Sequence, residues 1–230
     1  MGKHIDSKIF NTYKIDYTNN ALFLGSDKGL LDSINKNHPK IWELYKQVKS
    51  DDWDENEFDF SSCVNDFKTC DKSTYDMMIK TLAWQWEADS IVANAIAPLA
   101  SMYVTSDELW CAWVRVTDNE LVHALTYSEI VRNSFNNPSE VLDEILSVTD
   151  SLERLEGLGN ILSGINKRGH ELALGYGVDF EEDGDTPIQI RTVTKDQETY
   201  NYAFKLPVAL LFLERLQFIA SFAVTFAIAD

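Results

Sequence analysis

The stretch DNELVHALTYSEI, residues 118–130, places a carboxylate, an imidazole and a phenol at helical spacing. Glu120 precedes His123 by three residues, and Tyr127 follows His123 by four. In a helix of about 3.6 residues per turn, these steps put the three side chains on one face, within about 60°. Apolar residues share that face, so the polar trio is predicted to point into the core. A buried carboxylate and imidazole need a partner or a metal, because leaving them unpaired costs several kcal/mol.

A Glu-x-x-His pair on a helix is how ferritin-like proteins with dinuclear iron or manganese sites present two of their ligands. The carboxylate can bridge or chelate, and the imidazole binds through one nitrogen. The motif alone is not specific, since an ordinary salt-bridged helix surface can carry the same two residues.

Composition and charge narrow the class of protein. The chain has 230 residues, 45% of them hydrophobic, which is enough for a substantial core in a single domain. Its net charge of −17 disfavours binding to nucleic acid or to anionic lipid. The three cysteines lack a CxxC pair, which argues against a disulfide framework or a zinc ribbon. With no signal-peptide pattern at the N-terminus, we expect a cytoplasmic protein.

Helical periodicity divides the chain into two parts. Residues 1–70 are expected to form an irregular N-terminal arm with one short helix around IWELYKQVK. Residues 71–230 are expected to form an all-α helical bundle, interrupted by a small β-hairpin near 178–200, where a DG turn precedes the alternating run IQIRTV.

Local signals suggest where the helices of the bundle start and stop. Thr105 and Glu108 have capping-box spacing, and a break is expected at Asn136, Asn137 and Pro138. Pro207 suits the first turn of a helix.

The apolar segment at 206–229 is long enough to span a bilayer. Glu214 and Arg215 lie near its middle, where each would cost roughly 2.5 to 3.5 kcal/mol in lipid. We therefore predict a helix buried in protein.

Two further acids lie in apolar surroundings. Asp89 follows two tryptophans in WQWEADSIVA, and Glu214 lies in LLFLERLQFIASFA. Both are improbable places for an unpaired carboxylate, so both are candidate metal ligands. The alternatives are buried salt bridges, for example with Arg115 or Arg215, or a register in which Glu87 rather than Asp89 faces inward.

From about Trp53 to Asp230 the sequence resembles the radical-generating small (β) subunit of class I ribonucleotide reductase. The resemblance rests on three segments: DSI at 89–91, ELVHALTYSEIVRN at 120–133 and LERLQFIASFAVTFA at 213–227. It implies a ferritin-like helical bundle, which this chain would contain only in part, and an oxidoreductase role in deoxyribonucleotide synthesis.

The resemblance also implies roles for individual residues. Asp89, Glu120, His123 and Glu214 would bind a dinuclear metal centre of iron, with manganese or a mixed pair as alternatives. Tyr127 would be oxidised to a stable radical, although a tyrosine on an apolar helix face is more commonly a packing residue.

Three aromatic residues match the family as well. Trp53 would lie on the route of radical transfer to a large catalytic subunit. Phe218 and Phe222 would form the apolar pocket that shelters the radical.

The chain departs from the family in one respect, because it contains a single Glu-x-x-His pair where the site needs two. We therefore expect a split small subunit, in which a C-terminal polypeptide supplies the second pair and the tail that docks on the large subunit. The alternative is a truncated piece of a longer chain. The small-subunit unit is expected to form a dimer.

Three functions are compatible with these residues. The first is the radical-generating subunit described above. The second is a di-iron oxidase or oxygenase of the same fold, for which Tyr127 is incidental. The third is a non-catalytic helical assembly protein whose buried acids are paired structurally.

Overall fold

The computed structural model describes residues 21–26, 31–181 and 184–229, and most of these are helical. This confirms the predicted all-α class with one small hairpin. The helices are α1 (Pro39–Ser50), α2 (Cys63–Thr69), α3 (Lys72–Ser101), α4 (Asp107–Ser134), α5 (Pro138–Leu146), α6 (Asp150–Leu174), α7 (Gln197–Phe212) and α8 (Phe218–Ala229). The strands are β1 (Tyr176–Phe180) and β2 (Pro187–Thr192), a 3-10 turn covers Glu55–Glu57, and a π-helical turn covers Leu213–Gln217.

The chain forms two compact units, each assembled from three separate segments. The first unit comprises Met1–Ser50, Ala97–Arg115 and Ser163–Leu206, and the second comprises Asp51–Ile96, Val116–Leu162 and Pro207–Asp230. All eight candidate site residues from the sequence belong to the second unit.

The second unit has an apolar core between α3, α4 and α5. Helical spacing brings three residues of α3 to one face, and these pack with α4 and α5. The buried members are Ile79, Leu82, Ala83, Val131, Val141 and Ile145. Trp86 and Tyr127 are partly buried and pack against the same cluster. Because Tyr127 packs against this core, the core fixes the orientation of the α4 face that also carries Glu120 and His123.

The first unit is centred on Tyr103, whose side chain is 1% exposed. Its hydroxyl donates a hydrogen bond to the carbonyl oxygen of Ile165 on α6. Its carbonyl oxygen accepts from the backbone N–H of Leu24. These two bonds tie the described part of the N-terminal segment, the α3–α4 connection and α6 into one unit.

The predicted capping box at Thr105 and Glu108 is wrong. Helix α4 begins at Asp107, and the Ser106 hydroxyl accepts the Leu109 N–H at 3.2 Å. The Thr105 hydroxyl instead donates to the Ala21 carbonyl oxygen and accepts the Gly25 N–H. The Glu108 carboxylate accepts backbone N–H groups from residues 37 and 38. Both side chains therefore hold the N-terminal segment rather than the end of the helix.

The breaks around the two prolines differ from each other. The break before Pro138 is confirmed, because α5 begins at that residue. The prediction that Pro207 lies in a first helical turn is wrong, because α7 begins at Gln197 and contains Pro207 in its interior. The stronger start signal is Asp196, whose carboxylate accepts the Thr199 N–H at 2.9 Å.

The hairpin joins β1 and β2 in an antiparallel pair with Val178 opposite Ile190. Gly184 adopts a φ of +78° in the turn, a conformation that glycine reaches without steric cost. The hairpin occupies residues 176–192, so the expected excursion ends earlier than residue 200 because α7 has already begun.

Residues Gln197–Ile228 form one continuous helical segment that is long and apolar enough to cross a membrane by length and composition alone. Only 28% of its most apolar window is buried, so within the described residues the prediction of a helix buried in protein is not met. Its exposed apolar side chains in the second unit are Leu211, Phe212, Leu216, Ile219, Phe222 and Phe226. We call this set the apolar helix face.

Part of the expected N-terminal arm, residues 1–20 and 27–30, lies outside the described residues. Within the remainder of the arm, α1 covers the stretch IWELYKQVK.

Replacing Ile145 by alanine tests the core of the second unit. Ile145 is 1% exposed, so Ile145→Ala is expected to lower the free energy of unfolding by about 2 to 5 kcal/mol through lost burial and a cavity. Urea denaturation measures this change. The matched control is the neighbouring Leu146→Ala, at a side chain that is 63% exposed, which should change the value by less than about 0.5 kcal/mol. Equal effects at the two positions would contradict the packing described here.

Candidate metal centre

Helices α3 and α4 bring Asp89, Glu120 and His123 together. One possible ligand atom from each residue lies within 4.8 Å of those of the other two. Asp89 is 1% exposed and Glu120 is 7% exposed, whereas His123 is half-buried. The structure therefore gathers three of the four metal ligands expected from the sequence into one buried group, which we call the Asp89 group.

The contacts inside the Asp89 group leave one oxygen without a hydrogen bond. His123 Nδ1 lies 3.1 Å from Glu120 Oε2, a hydrogen-bonding distance. The same nitrogen lies 3.9 Å from Asp89 Oδ2, which is fully buried and accepts no hydrogen bond. A buried carboxylate oxygen without a donor is costly unless a cation binds it. The Asp89 group therefore has an unpaired acceptor oxygen suited to binding a cation.

Burial and like charge both act on Asp89. Burial, followed by the charge of Glu120, raises the pKa of Asp89 to about 8, against smaller lowering effects from His123 and Tyr127. For His123, burial lowers the pKa, but the hydrogen bond and charge of Glu120 and the charge of Asp89 outweigh it, so the pKa is raised. Both shifts favour the protonated forms, because the group has more negative than positive charge to satisfy.

The alternatives raised for Asp89 find little support in this geometry. Asp89 is buried, whereas Glu87 is only half-buried, so Asp89 is the inward residue of the two. Within the described residues, Asp89 pairs with His123 rather than with an arginine.

Glu214 occupies the π-helical turn Leu213–Gln217. It does not join the Asp89 group, and the residue as a whole is exposed, although its carboxyl group is partly shielded from water. Even so, burial of the carboxyl group and the charge of Glu120 raise the pKa of Glu214 to about 7, partly offset by His123 and Arg215. Glu214 therefore interacts electrostatically with the Asp89 group from the edge of the site. Such π-helical turns are frequent at functional sites.

Tyr127 lies one turn beyond His123 on α4 and interacts with the Asp89 carboxylate. Burial, followed by the charge of Asp89 and the hydrogen bond with it, raises the pKa of Tyr127 above its ordinary value. The phenol is therefore protonated at neutral pH and lies next to the carboxyl group of Asp89.

Trp53 lies against the exposed side of the same site. Its ring stacks on the His123 imidazole, with 5.6 Å between centroids and 26° between planes. Phe58 contacts the Trp53 ring edge-to-face, with 5.4 Å between the ring centroids. Because the Trp53 ring touches a candidate ligand directly, the structure links these two sequence candidates.

The two phenylalanines of the expected radical pocket differ in burial. Phe218 is 3% exposed and packs edge-to-face on Trp84 at 4.6 Å. Phe222 is 44% exposed and lies 5.8 Å from the ring of Phe218. Of these two phenylalanines, Phe218 is a core residue and Phe222 is not.

A buried polar link, which no sequence motif indicated, lies beside the site. The Gln85 amide donates to the Ser221 hydroxyl at 3.3 Å and joins α3 to α8, and both residues are buried. The available signal was spacing, since Gln85 precedes Asp89 by four residues and shares its helix face. This link helps to fix α8, and hence the adjoining π-helical turn, against the helix that carries Asp89.

The donors fit part of a dinuclear site. Carboxylates and imidazole are ligands that iron and manganese both accept, and the group includes a buried oxygen in need of a cation. Asp89, Glu120 and His123 with Glu214 would provide four ligands, whereas the helical-bundle sites of this type use four carboxylates and two histidines. The described residues therefore account for one side of such a centre.

Comparison with known proteins gives the same assignment of family. Residues 32–230 match the sequence model of the family described as "Ribonucleotide reductase, small chain". The ribonucleoside-diphosphate reductase subunit beta of Enterobacteria phage T4 is 29% identical over 154 residues, which cover 66% of this chain and 39% of that protein. The ribonucleoside-diphosphate reductase 1 subunit beta of Escherichia coli O157:H7 is 25% identical over 228 residues, covering 96% of this chain and 57% of that protein.

A solved ribonucleotide reductase subunit from Clostridium botulinum has the same fold, with a TM-score of 0.70 at 16% identity. The alignment covers 91% of this chain and 57% of that one. The chain thus spans between about two fifths and three fifths of the length of these relatives. Because the family match extends over most of its residues, the chain belongs to the ribonucleotide reductase small-chain family.

Proposed function

We propose that this chain is part of the radical-generating small subunit of a class I ribonucleotide reductase, with Asp89, Glu120, His123 and Glu214 as ligands of a dinuclear iron centre. The observation that carries the proposal is the buried Asp89 group, whose ligand atoms lie within 4.8 Å of one another. The same donors suit manganese or a mixed pair, so the ligand set favours a class of metals rather than one element.

Tyr127 is the proposed radical site. A bound metal pair would supply the oxidising chemistry, with oxygen as the oxidant, and Tyr127 is the residue placed to lose one electron to it. The hydrogen bond between Tyr127 and Asp89 offers a route for the accompanying proton from the phenolic oxygen, with Asp89 ionised in its proposed role as a metal ligand. Loss of the electron and the proton together leaves a neutral radical, which suits a buried site better than a charged one.

Trp53 is the proposed relay between the site and a large catalytic subunit. Its direct stacking on His123 supports this role, since electron transfer between aromatic groups in contact needs no further intermediary. Phe218 and Phe222 are proposed to exclude water from the radical. The exposure of Phe222 means that this shelter is completed only when the apolar helix face is covered.

The apolar helix face supports a second proposed partner, a C-terminal small-subunit polypeptide that carries the other Glu-x-x-His pair. Six large apolar side chains on this face are between 44% and 69% exposed, and Glu214 lies exposed on the same helical segment. Exposed apolar surface of this kind marks an interface. A membrane is the less suitable occupant, because Glu214 and Arg215 interrupt the face.

The complete unit is proposed to dimerise, to act with the large subunit and to reside in the cytoplasm. The ligands that this chain does not provide would come either from a separate polypeptide or from further residues of the same one.

Asp89→Asn tests the cost of the metal-free site. The pKa of Asp89 is raised from 3.8 to about 8 in the folded chain, so ionising it disfavours folding increasingly as pH rises from about 4 to 8. The free energy of unfolding of the metal-free chain is therefore expected to fall over this range. In Asp89→Asn the fall should be smaller by about 1 kcal/mol or more, as measured by urea denaturation at each pH.

Addition of Fe(II) or Mn(II) should make the free energy of unfolding of the wild-type chain larger than that of Asp89→Asn, because only the chain with Asp89 gains the full stabilisation by metal. Asp143→Asn, at an exposed position of α5, is the matched control and should leave both the pH dependence and the response to metal unchanged. An unaltered metal response in Asp89→Asn would contradict the proposed ligand role.

Tyr127→Phe tests the radical site in the assembly that contains both Glu-x-x-His pairs. After loading with Fe(II) and exposure to oxygen, the wild-type assembly is expected to show the electron paramagnetic resonance signal of a tyrosyl radical. In Tyr127→Phe the signal should be absent while the metal content is unchanged. Tyr200→Phe, at a tyrosine that is 46% exposed, should retain the signal. Persistence of the same signal in Tyr127→Phe would place the radical elsewhere.

Trp53→Phe separates radical formation from radical transfer. The variant is expected to form the tyrosyl radical at the wild-type yield, but reduction of ribonucleotides with the large subunit should fall to background. Trp42→Phe, in α1 of the first unit, is the control and should behave as wild type in both measurements. Reduction of ribonucleotides by Trp53→Phe at the wild-type rate would exclude the relay role.

A further inference from the structure

A buried tryptophan that the proposed function does not use lies in the second unit, on the helix that carries Asp89. Trp84 precedes Asp89 by five residues on α3, which corresponds to about 7.5 Å along the helix axis. It is 2% exposed, and its ring packs edge-to-face on Phe218 with 4.6 Å between centroids. Tryptophan and tyrosine are among the side chains that lose an electron most readily. Trp84 can therefore act as an electron donor directly behind a residue of the proposed radical shelter.

The guanidinium of Arg154 on α6 lies over the Trp84 ring. Arg154 Cζ is 4.6 Å from the ring centroid, within the range of a cation–π interaction. The backbone carbonyl oxygen of Arg154 accepts a hydrogen bond from Gln217 Nε2 at 3.4 Å, so α6 is held beside the π-helical turn at this point. Arg154 as a whole is exposed, so the cation keeps contact with water while it covers the indole. The structure thus holds a positive charge on the face of Trp84.

A positive charge in this position opposes oxidation of the indole. The guanidinium is attracted by the electron-rich face of the neutral Trp84 ring. Loss of one electron turns the ring into a radical cation, and the attraction becomes a repulsion between like charges 4.6 Å apart. The free energy needed to remove an electron from Trp84 is therefore raised.

The indole N–H of Trp84 acts in the same direction. Trp84 Nε1 is fully buried and donates no hydrogen bond within the described residues. An oxidised indole becomes neutral when its N–H proton passes to an acceptor. Without an acceptor, the oxidised ring keeps its charge in a buried position, which is costly. Two features that involve different atoms of Trp84 therefore both disfavour its oxidation.

We propose that Arg154 protects Trp84 from oxidation and thereby retains the oxidising equivalent on Tyr127. The reaction that Arg154 opposes is the transfer of one electron from Trp84 to the Tyr127 radical. Tyr127 would regain that electron together with one proton, and Trp84 would be left as a radical cation. The equivalent would then be lost to the transfer through Trp53. Retention of the radical rests on the proposed function, whereas the effect of the Arg154 charge on Trp84 does not.

One-electron oxidation of the metal-free full chain tests the protection of Trp84. The oxidant is tris(bipyridine)ruthenium(III) generated by light, and peptide mass spectrometry quantifies the oxidation products of Trp84 relative to those of the other tryptophans. Arg154→Gln removes the charge and is expected to increase oxidation of Trp84 at least about tenfold. Arg154→Lys also alters the shape of the side chain but keeps the charge, so Trp84 should stay about as resistant as in the wild type.

Arg132→Gln is the matched control, because it removes an arginine of the same unit whose described partner is Glu129. It should leave the oxidation of Trp84 unchanged. Unchanged oxidation in Arg154→Gln would overturn the proposal. An equal increase in Arg154→Gln and Arg154→Lys would also overturn it, because the side chain would then act by covering the ring rather than by its charge.

The lifetime of the tyrosyl radical tests the consequence in the assembly that contains both Glu-x-x-His pairs. Arg154→Gln is expected to reach the wild-type metal content and initial radical yield, but its electron paramagnetic resonance signal should decay at least about tenfold faster. Adding Trp84→Phe to Arg154→Gln removes the electron donor and should restore the wild-type lifetime.

An unchanged lifetime in Arg154→Gln, or fast decay that persists in the double variant, would overturn the role of Arg154 in retaining the radical. Absence of a tyrosyl radical from the wild-type assembly would contradict the proposed function, and radical retention with it. The protection of Trp84 by charge is decided separately, by the metal-free chain alone.

Discussion

The burial of two carboxylates and an imidazole within one small group is the constraint on which the second unit depends. Asp89, Glu120 and His123 approach one another to within 4.8 Å beside the apolar core of the second unit. A helical bundle gains nothing in stability from such a group unless a cation or protons neutralise it. Burial and the charge of Glu120 raise the pKa of Asp89, and for His123 the neighbouring carboxylates outweigh burial and raise the pKa, so both groups favour their protonated forms. The fold thus tolerates a costly group at one place, as the proposed metal site requires.

The same arrangement connects metal binding to the chemistry proposed for Tyr127 and Trp53. Each of these aromatic residues contacts a different member of the Asp89 group, Tyr127 through Asp89 and Trp53 through His123. Tyr127 lies on the side of the apolar core, whereas Trp53 belongs to an acidic segment with many exposed residues. The Asp89 group therefore connects the proposed radical site, Tyr127, to the proposed relay, Trp53, without any further intermediate side chain.

Helical periodicity and short motifs predicted much of this arrangement. The one-face spacing of Glu120, His123 and Tyr127 and the improbable burial of Asp89 identified the residues that meet, because helix geometry is regular over a few turns. Periodicity could not predict the π-helical turn around Glu214, which changes the direction of that side chain and depends on packing between helices. Local capping signals also failed at Thr105, where tertiary hydrogen bonds to the N-terminal segment took the side chain that a helix end would have used.

The apolar helix face lies on the helical segment that also carries Glu214. Its six large apolar side chains are exposed within the described residues, and we propose that a partner polypeptide, or further residues of the same one, covers them. Membership of the small-chain family alone does not show which of the two does so.

Anomalous X-ray diffraction from crystals grown with Fe(II) or Mn(II) tests the central claim most directly, because it locates the metal and identifies the element in one experiment. Data collected on either side of the iron and manganese absorption edges should give an anomalous peak within bonding distance of Asp89, Glu120 and His123. An ordered structure in which these three side chains bind no metal at saturating concentration, or in which the peak lies among other residues, would contradict it.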